Sequence, residues 1–202
     1  MRIAPALVVV VLGLAACGGS ATPAPKSPPP AATQSGKSVR DIDWANRTYS
    51  VPGFEGEDTY TVANGAYEWS NQEEDYVDQG YFSVAAPAYG DVTGDGADEA
   101  AIVSILNTGG TGNFSALGVY TMKGDEPVVL GWIPGGDRGD GGINGATIES
   151  GAVAVERLMS QDGDGACCPS KIQYELWRWS GSDFVEDEAA RQLVDIPDGD
   201  AE

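Results

Sequence analysis

The stretch from Tyr89 to Val103, YGDVTGDGADEAAIV, sets Asp91, Asp95, Asp98 and Glu99 among Gly90, Gly94 and Gly96, just ahead of an apolar run. Acidic side chains at this spacing have two chemical uses. They can close a turn by accepting its backbone amides, or they can enclose a hard cation. With Asp91 as position 1, Thr93 falls at 3, Asp95 at 5, Gly96 at 6, Ala97 at 7 and Glu99 at 9. A calcium loop takes side-chain oxygens at 1, 3, 5 and 9, a backbone carbonyl at 7, and glycine at 6 for the sharp turn. Only position 3 departs, with a threonine hydroxyl as the weaker oxygen. The expectation is one weakly held, structural Ca2+ bound by Asp91, Thr93, Asp95, the Ala97 carbonyl and Glu99. An acidic turn satisfied by its own amides and water is the alternative.

Position 12, where a helix–loop–helix calcium site carries glutamate, is Ile102, and AAIVSIL after the loop is strand-like. The stretch instead resembles the Asp-rich loop of FG-GAP and VCBS repeat proteins, in which such a turn leads into a strand. Two further Gly-Asp stretches test for repetition. SQDGDGACC places Ser160 at position 1 and Cys168 at position 9, both poor choices for calcium. GGDRGDGGI places Arg138 at position 3, a cation where a cation would bind. Arg138 is expected to pair with a carboxylate of its own domain, and the Arg138-Gly139-Asp140 tripeptide is read as chance. Taken together, YGDVTGDGADEAAI and GDRGDGGI resemble a group of uncharacterised exported bacterial proteins with one compact domain. That resemblance implies no catalytic residues.

Cys17 offers a different chemistry. MRIAPALVVVVLGLAACGGS has one basic residue, Arg2, and an apolar segment from Ile3 to Ala16, too short for a stable membrane span. Leu14-Ala15-Ala16-Cys17 resembles the lipobox of bacterial lipoproteins. The resemblance implies cleavage before Cys17, diacylglyceryl attachment to its thiol, and a lipid-anchored protein outside the cytoplasm. Cys167 and Cys168 are then the remaining cysteines, adjacent and followed by Pro169. An oxidising compartment favours pairing. Neighbouring Cα atoms lie about 3.8 Å apart, below the usual disulfide range, so a Cys167–Cys168 bridge would be strained and redox-labile. Two free or capped thiols are the alternative. A zinc or copper site lacks companion ligands.

The chain has no histidine. Ser-His-Asp and Cys-His hydrolases and His-ligated zinc enzymes are therefore excluded. A carboxylate-pair hydrolase remains open, although no pair stands out. Trp177 and Trp179 fall on one face of a strand, where core or edge packing is the ordinary use and stacking on a sugar the alternative.

The elements that must position these groups follow a period of two. YFSVAA, EAAIVSIL, LGVYTM, PVVLGWI, GAVAVERL and KIQYELWRW read as strands, parted by turn residues. Asn64-Gly65 in YTVANGAYEW signals a hairpin, as does Ser180 to Asp183 before Phe184. DEAARQL is the one candidate for a helix longer than two turns. The fold class is all-β, an antiparallel sandwich or barrel-like domain of about eight to ten short strands. The expected divisions are a signal peptide over 1–16, a lipidated Cys17 with a Pro/Ala/Ser-rich tether over 17–38, a β domain over 39–196, and an acidic tail over 197–202. Five prolines between Gly18 and Ser38 give a tether reaching roughly 65 Å.

With 31 acidic against 11 basic side chains, the net charge of −20 disfavours nucleic acid and anionic lipid as partners. The functional expectation is a lipid-anchored, calcium-stabilised, non-enzymatic module that binds an envelope protein or glycan. A small carboxylate-dependent envelope hydrolase is one alternative. A redox or metal sensor built on Cys167 and Cys168 is the other.

Overall fold

The computed structural model describes residues 36–52, 57–110, 112–137, 142–165 and 168–196. Cys17, the signal segment, most of the tether, Arg138-Gly139-Asp140, Cys167 and the tail 197–202 lie outside the described residues. The described chain is all-β and falls into three antiparallel sheets. Strands β1 (Thr48–Pro52) and β2 (Glu57–Thr61) form a two-stranded sheet. A central sheet runs β3 (Ala66–Gln72), β4 (Val77–Val84), β6 (Glu99–Asn107), β7 (Asn113–Lys123) and β8 (Glu126–Asp137). Its sixth strand, β5 (Ala88–Gly90), pairs with β6. The third sheet runs β12 (Phe184–Glu186), β11 (Lys171–Trp179), β10 (Ala152–Met159) and β9 (Ile143–Glu149), and β13 (Gln192–Asp195) also pairs with β11.

Strand β6 explains the layering. Its sequence is an apolar run without alternation, and a strand reads that way when both of its faces are covered. Ala100, Ile102 and Leu106 point into one core, together with Phe82, Tyr120, Tyr49, Val51 and Trp44. Ala101 and Val103 point into another, with Leu117, Val119, Ile133, Val153, Val155 and Phe184. The β1–β2 hairpin and the N-terminal segment cover the first face, and the third sheet covers the second. Glycine makes two of the close approaches possible. A Cβ on Gly131 would meet the Phe184 ring at 3.0 Å, and one on Gly118 would meet the Tyr120 and Trp132 rings at 2.9 Å.

The N-terminal segment is fastened before the first strand. Ser38 caps a single 3-10 turn, Val39–Asp41, through a reciprocal pair of bonds with Arg40 and Asp41. Val39 is fully buried. Arg40 bonds Asp98 at 2.6 Å and lies over the Tyr89 ring, and the Lys37 amide donates to Asp125.

Three details differ from the sequence expectation. Thirteen strands are found among the described residues, above the eight to ten expected: β5 and β13 are too short to show alternation, and β9, Ile143–Glu149, was not among the strands read. DEAARQL is not helical: Glu188–Ala190 makes one 3-10 turn, and Gln192–Asp195 is captured by β11 as strand β13. The Asn64-Gly65 turn forms with both residues at positive φ, but its two arms part after the Ala63–Ala66 bridge. Strand β2 leaves for one sheet and β3 for another. The turn instead joins layers, since Gly65 donates to Ala45 and accepts from Val84, and the Asn64 amide donates to Asn46.

Leu117 and Ile133 face each other across β7 and β8, both with no exposure. Leu117→Ala should therefore lower unfolding free energy by about 2–5 kcal/mol. Val185→Ala, at a site 55% exposed, should stay within about 0.5 kcal/mol. Urea titration of both variants checks the contrast.

Candidate functional site

The acidic loop leaves β5 at Gly90 and re-enters the sheet at Glu99, so the β5–β6 pairing fixes both of its ends. Asp91 sits at its centre. Its Oδ1 accepts from the Gly94 amide at 2.7 Å and from the Thr93 hydroxyl, and its Oδ2 accepts from the Gly96 amide at 2.9 Å. Gly94 and Gly96 adopt φ of 78° and 88°, which bends the backbone around that carboxylate. Asp95 accepts from the Ala97 amide at 2.8 Å. Glu99 points the other way, into the fold, with no exposure. One of its oxygens accepts from the Val92 and Thr93 amides and the other from the Thr121 hydroxyl. The loop thus carries Asp91, Thr93, Asp95 and Ala97 along one turn, with Glu99 buried at its end. Their oxygens are of the kind a hard cation takes, yet among the described residues no three acidic, His or Cys groups converge to metal-binding distance.

The second Gly-Asp stretch is a turn as well. Asp164 accepts from the Gln161 amide and from the Ser170 amide and hydroxyl, and these bonds hold its carboxyl below the usual range. Cys168, four residues further on, is disulfide-bonded. Trp177 and Trp179 pack against the core between the central and third sheets, with the Trp179 ring 5.2 Å from that of Phe184. They serve as packing groups at the edge of this core.

The same core ends in an ion pair that sequence reading missed. Arg157 on β10 meets Glu175 on β11 through two bonds of 2.7 and 3.1 Å, with both residues buried. Arg157 also donates to the carbonyls of Pro134 and Gly135 on β8 and so ties the third sheet to the central one. Gln173 and Trp177 donate to the remaining lone pairs of Glu175. Burial pushes the Glu175 carboxyl up, but the bonds from Arg157, Trp177 and Gln173 and the Arg157 charge outweigh it and hold its pKa down. One residue on an inward strand face, charged in a run such as AVAVERLM, was the available signal.

A surface cavity of about 640 Å3 lies between β3, β4 and the turn after β6, lined by Glu68, Trp69, Ser70, Gln79, Tyr81 and Asn107. The ladder pairs Glu68 with Tyr81, Ser70 with Gln79 and Tyr81 with Asn107, so these five side chains share one sheet face. Trp69 lies on the opposite face, where its ring covers Gly80 and stacks with Tyr67 and Tyr60 at 5.9 and 6.2 Å. Sequence reading took AYEW as an arm of the Asn64-Gly65 hairpin and YFSVAA as a separate strand, and did not pair them. The available signal was the alternation of Tyr67 and Trp69 with Glu68 and Ser70 in AYEWSNQ.

The two buried glutamates should act oppositely with pH. Burial pushes the Glu99 carboxyl above its ordinary value of 4.5, against the bonds from Val92, Thr121 and Thr93. Its contribution is fully present below pH 4.5 and is lost as pH rises through the folded-state value. Glu175, held below 4.5, contributes above that pH and loses its contribution as pH falls through its folded-state value. In chelator, Glu99→Gln should abolish the decline that wild type shows above pH 4.5. Glu175→Gln should cost about 3–5 kcal/mol at neutral pH, a deficit that narrows in acid. Urea unfolding across a pH series reads both. No protein-family model matches the chain, and neither a curated protein nor a solved structure matches it.

Proposed function

We propose that the chain is a non-catalytic binding module, held at the surface of a bacterial membrane by lipid on Cys17, that presents the β3–β4 cavity to an envelope ligand. The observation that carries the reading is the cavity itself, with polar side chains and the 37% exposed Tyr81 converging on one sheet face. Ligand sites combine concavity, aromatic surface and a few placed polar groups in this way. The anchor rests on Leu14-Ala15-Ala16-Cys17 and the proline-rich segment behind it. Among the described residues no helix is long and apolar enough to cross a membrane, a statement that leaves β-barrels aside.

Calcium at the 91–99 loop is a second reading, resting on the spacing of oxygen-bearing residues in the turn that the β5–β6 pairing closes. In this reading Asp91, Thr93, Asp95 and the Ala97 carbonyl face the ion. Glu99 braces the loop through its bonds to the Val92 and Thr93 amides. With a dissociation constant on the order of 10⁻⁴–10⁻³ M, millimolar calcium stabilises such a domain by about 0.4–1.4 kcal/mol. The ion is structural at that magnitude.

Two measurements check these readings separately. Cys17→Ala should leave an uncleaved precursor that takes up no labelled fatty acid, and a variant processed and labelled like wild type would end the anchor reading. The melting temperature of wild type should rise between chelator and excess calcium, and that of Asp95→Asn should not. Equal wild-type values in both conditions would leave the loop a turn alone.

A further inference from the structure

We infer that the β3–β4 cavity binds a neutral oligosaccharide, an assignment that rests on the binding-module reading and names its ligand class. The lining chemistry selects the class. Ser70, Gln79 and Asn107 are uncharged, and amides and hydroxyls both donate and accept, as sugar hydroxyls do. Glu68 adds one acceptor-only carboxylate. With that carboxylate and no Lys or Arg among the lining residues, on a chain of net charge −20, an anionic ligand is repelled. The Tyr81 ring supplies a flat apolar surface with a polar tip, the shape that suits the C–H face of a pyranose.

The site is also held in place before any ligand arrives. Tyr81 donates to Asn113 at 3.4 Å, Asn107 donates to the same Asn113 oxygen at 2.7 Å, and the Gly109 amide donates to Asn107. Those bonds fix the Tyr81 ring and the Asn107 amide. On the opposite face the Trp69 ring covers Gly80 and stacks with Tyr67 and Tyr60, and Tyr60 stacks on Phe82 at 4.6 Å. The strands that carry the polar groups are thereby stiffened from behind. Glu68, Ser70 and Gln79 are exposed and make no side-chain hydrogen bond among the described residues, so a ligand meets them without displacing an internal partner. Preformed donors beside uncommitted ones are what a weak, selective sugar site requires.

The test is an NMR titration of the full chain in micelles of a detergent without a sugar headgroup. Maltohexaose, chitohexaose and, separately, tetralysine are the probes. Saturable amide shifts confined to β3, β4 and residues 107–110 with either oligosaccharide are expected. Tyr81→Ala and Gln79→Ala should weaken that binding at least tenfold, while Tyr174→Ala on the third sheet leaves it unchanged. Shifts with tetralysine alone would overturn the sugar assignment in favour of a basic peptide. No shift from either oligosaccharide in a folded chain would overturn it outright. Retention of the chain on delipidated bacterial cell walls, which offer no bilayer for the Cys17 lipid, measured in parallel, separates the two levels. Retention without oligosaccharide shifts sinks the sugar and keeps the binding module, and loss of both sinks both. Should Tyr81→Ala lose its dispersed spectrum, Gln79→Ala decides, because the Gln79 side chain is exposed and internally unbonded.

Discussion

Strands β6 and β7 are buried on both faces, and that double burial governs the rest of the molecule. A sheet of this kind needs two covers, and the chain supplies them from its two ends. The N-terminal segment with β1 and β2 provides one, and β9 to β13 provide the other. Neither cover has a self-sufficient core, because the residues it buries are completed by Ala100, Ile102, Leu117 or Val119 from the centre. Burial of this kind is the dominant favourable term in folding. The covers should therefore fold onto the centre, not beside it.

Polar groups were spent where the covers meet the centre. Arg157 and Glu175 form the clearest case: a buried charge pair adds little to stability over an apolar substitute, and this one joins β10 and β11 to the carbonyls of β8. Arg157 reaches carbonyls at Pro134 and Gly135 where the β7–β8 register shifts, so it marks one alignment of the two sheets among many that apolar contact would permit. Glu99 does the same for the acidic loop, holding the Val92 and Thr93 amides from inside.

The all-β class and the six longer strands were legible because alternation, apolar runs and glycine-rich turns are local signals. The short strands were less so: β13 exists only by pairing back to β11, with Gln192 opposite Tyr174 and Asp195 opposite Lys171, whereas β12 follows the Ser180–Asp183 turn that was read. Asn64-Gly65 is instructive. Its turn chemistry was read correctly, yet which sheets its arms join depends on burial elsewhere. At the acidic loop the spacing located the turn, but not that Glu99 would point inward, because that side chain's direction depends on Thr121, 22 residues away. The cavity was illegible for a related reason: Glu68, Gln79 and Asn107 become neighbours only through the β3–β4–β6 ladder.

The clasp at the start of the domain has a mechanical consequence. For a protein held by its N-terminal segment, any pull arrives at Ser38, where the capped turn, the buried Val39 and the Arg40–Asp98 pair hand it directly to the domain. Val39 packs with Ala100 and Tyr120, so the load enters the middle of the central sheet. The β3 edge carries none of it in the first instance. The β3–β4 face can thus stay undistorted while the N-terminal segment is under tension, because the load passes through the buried Val39 and the Arg40–Asp98 pair first.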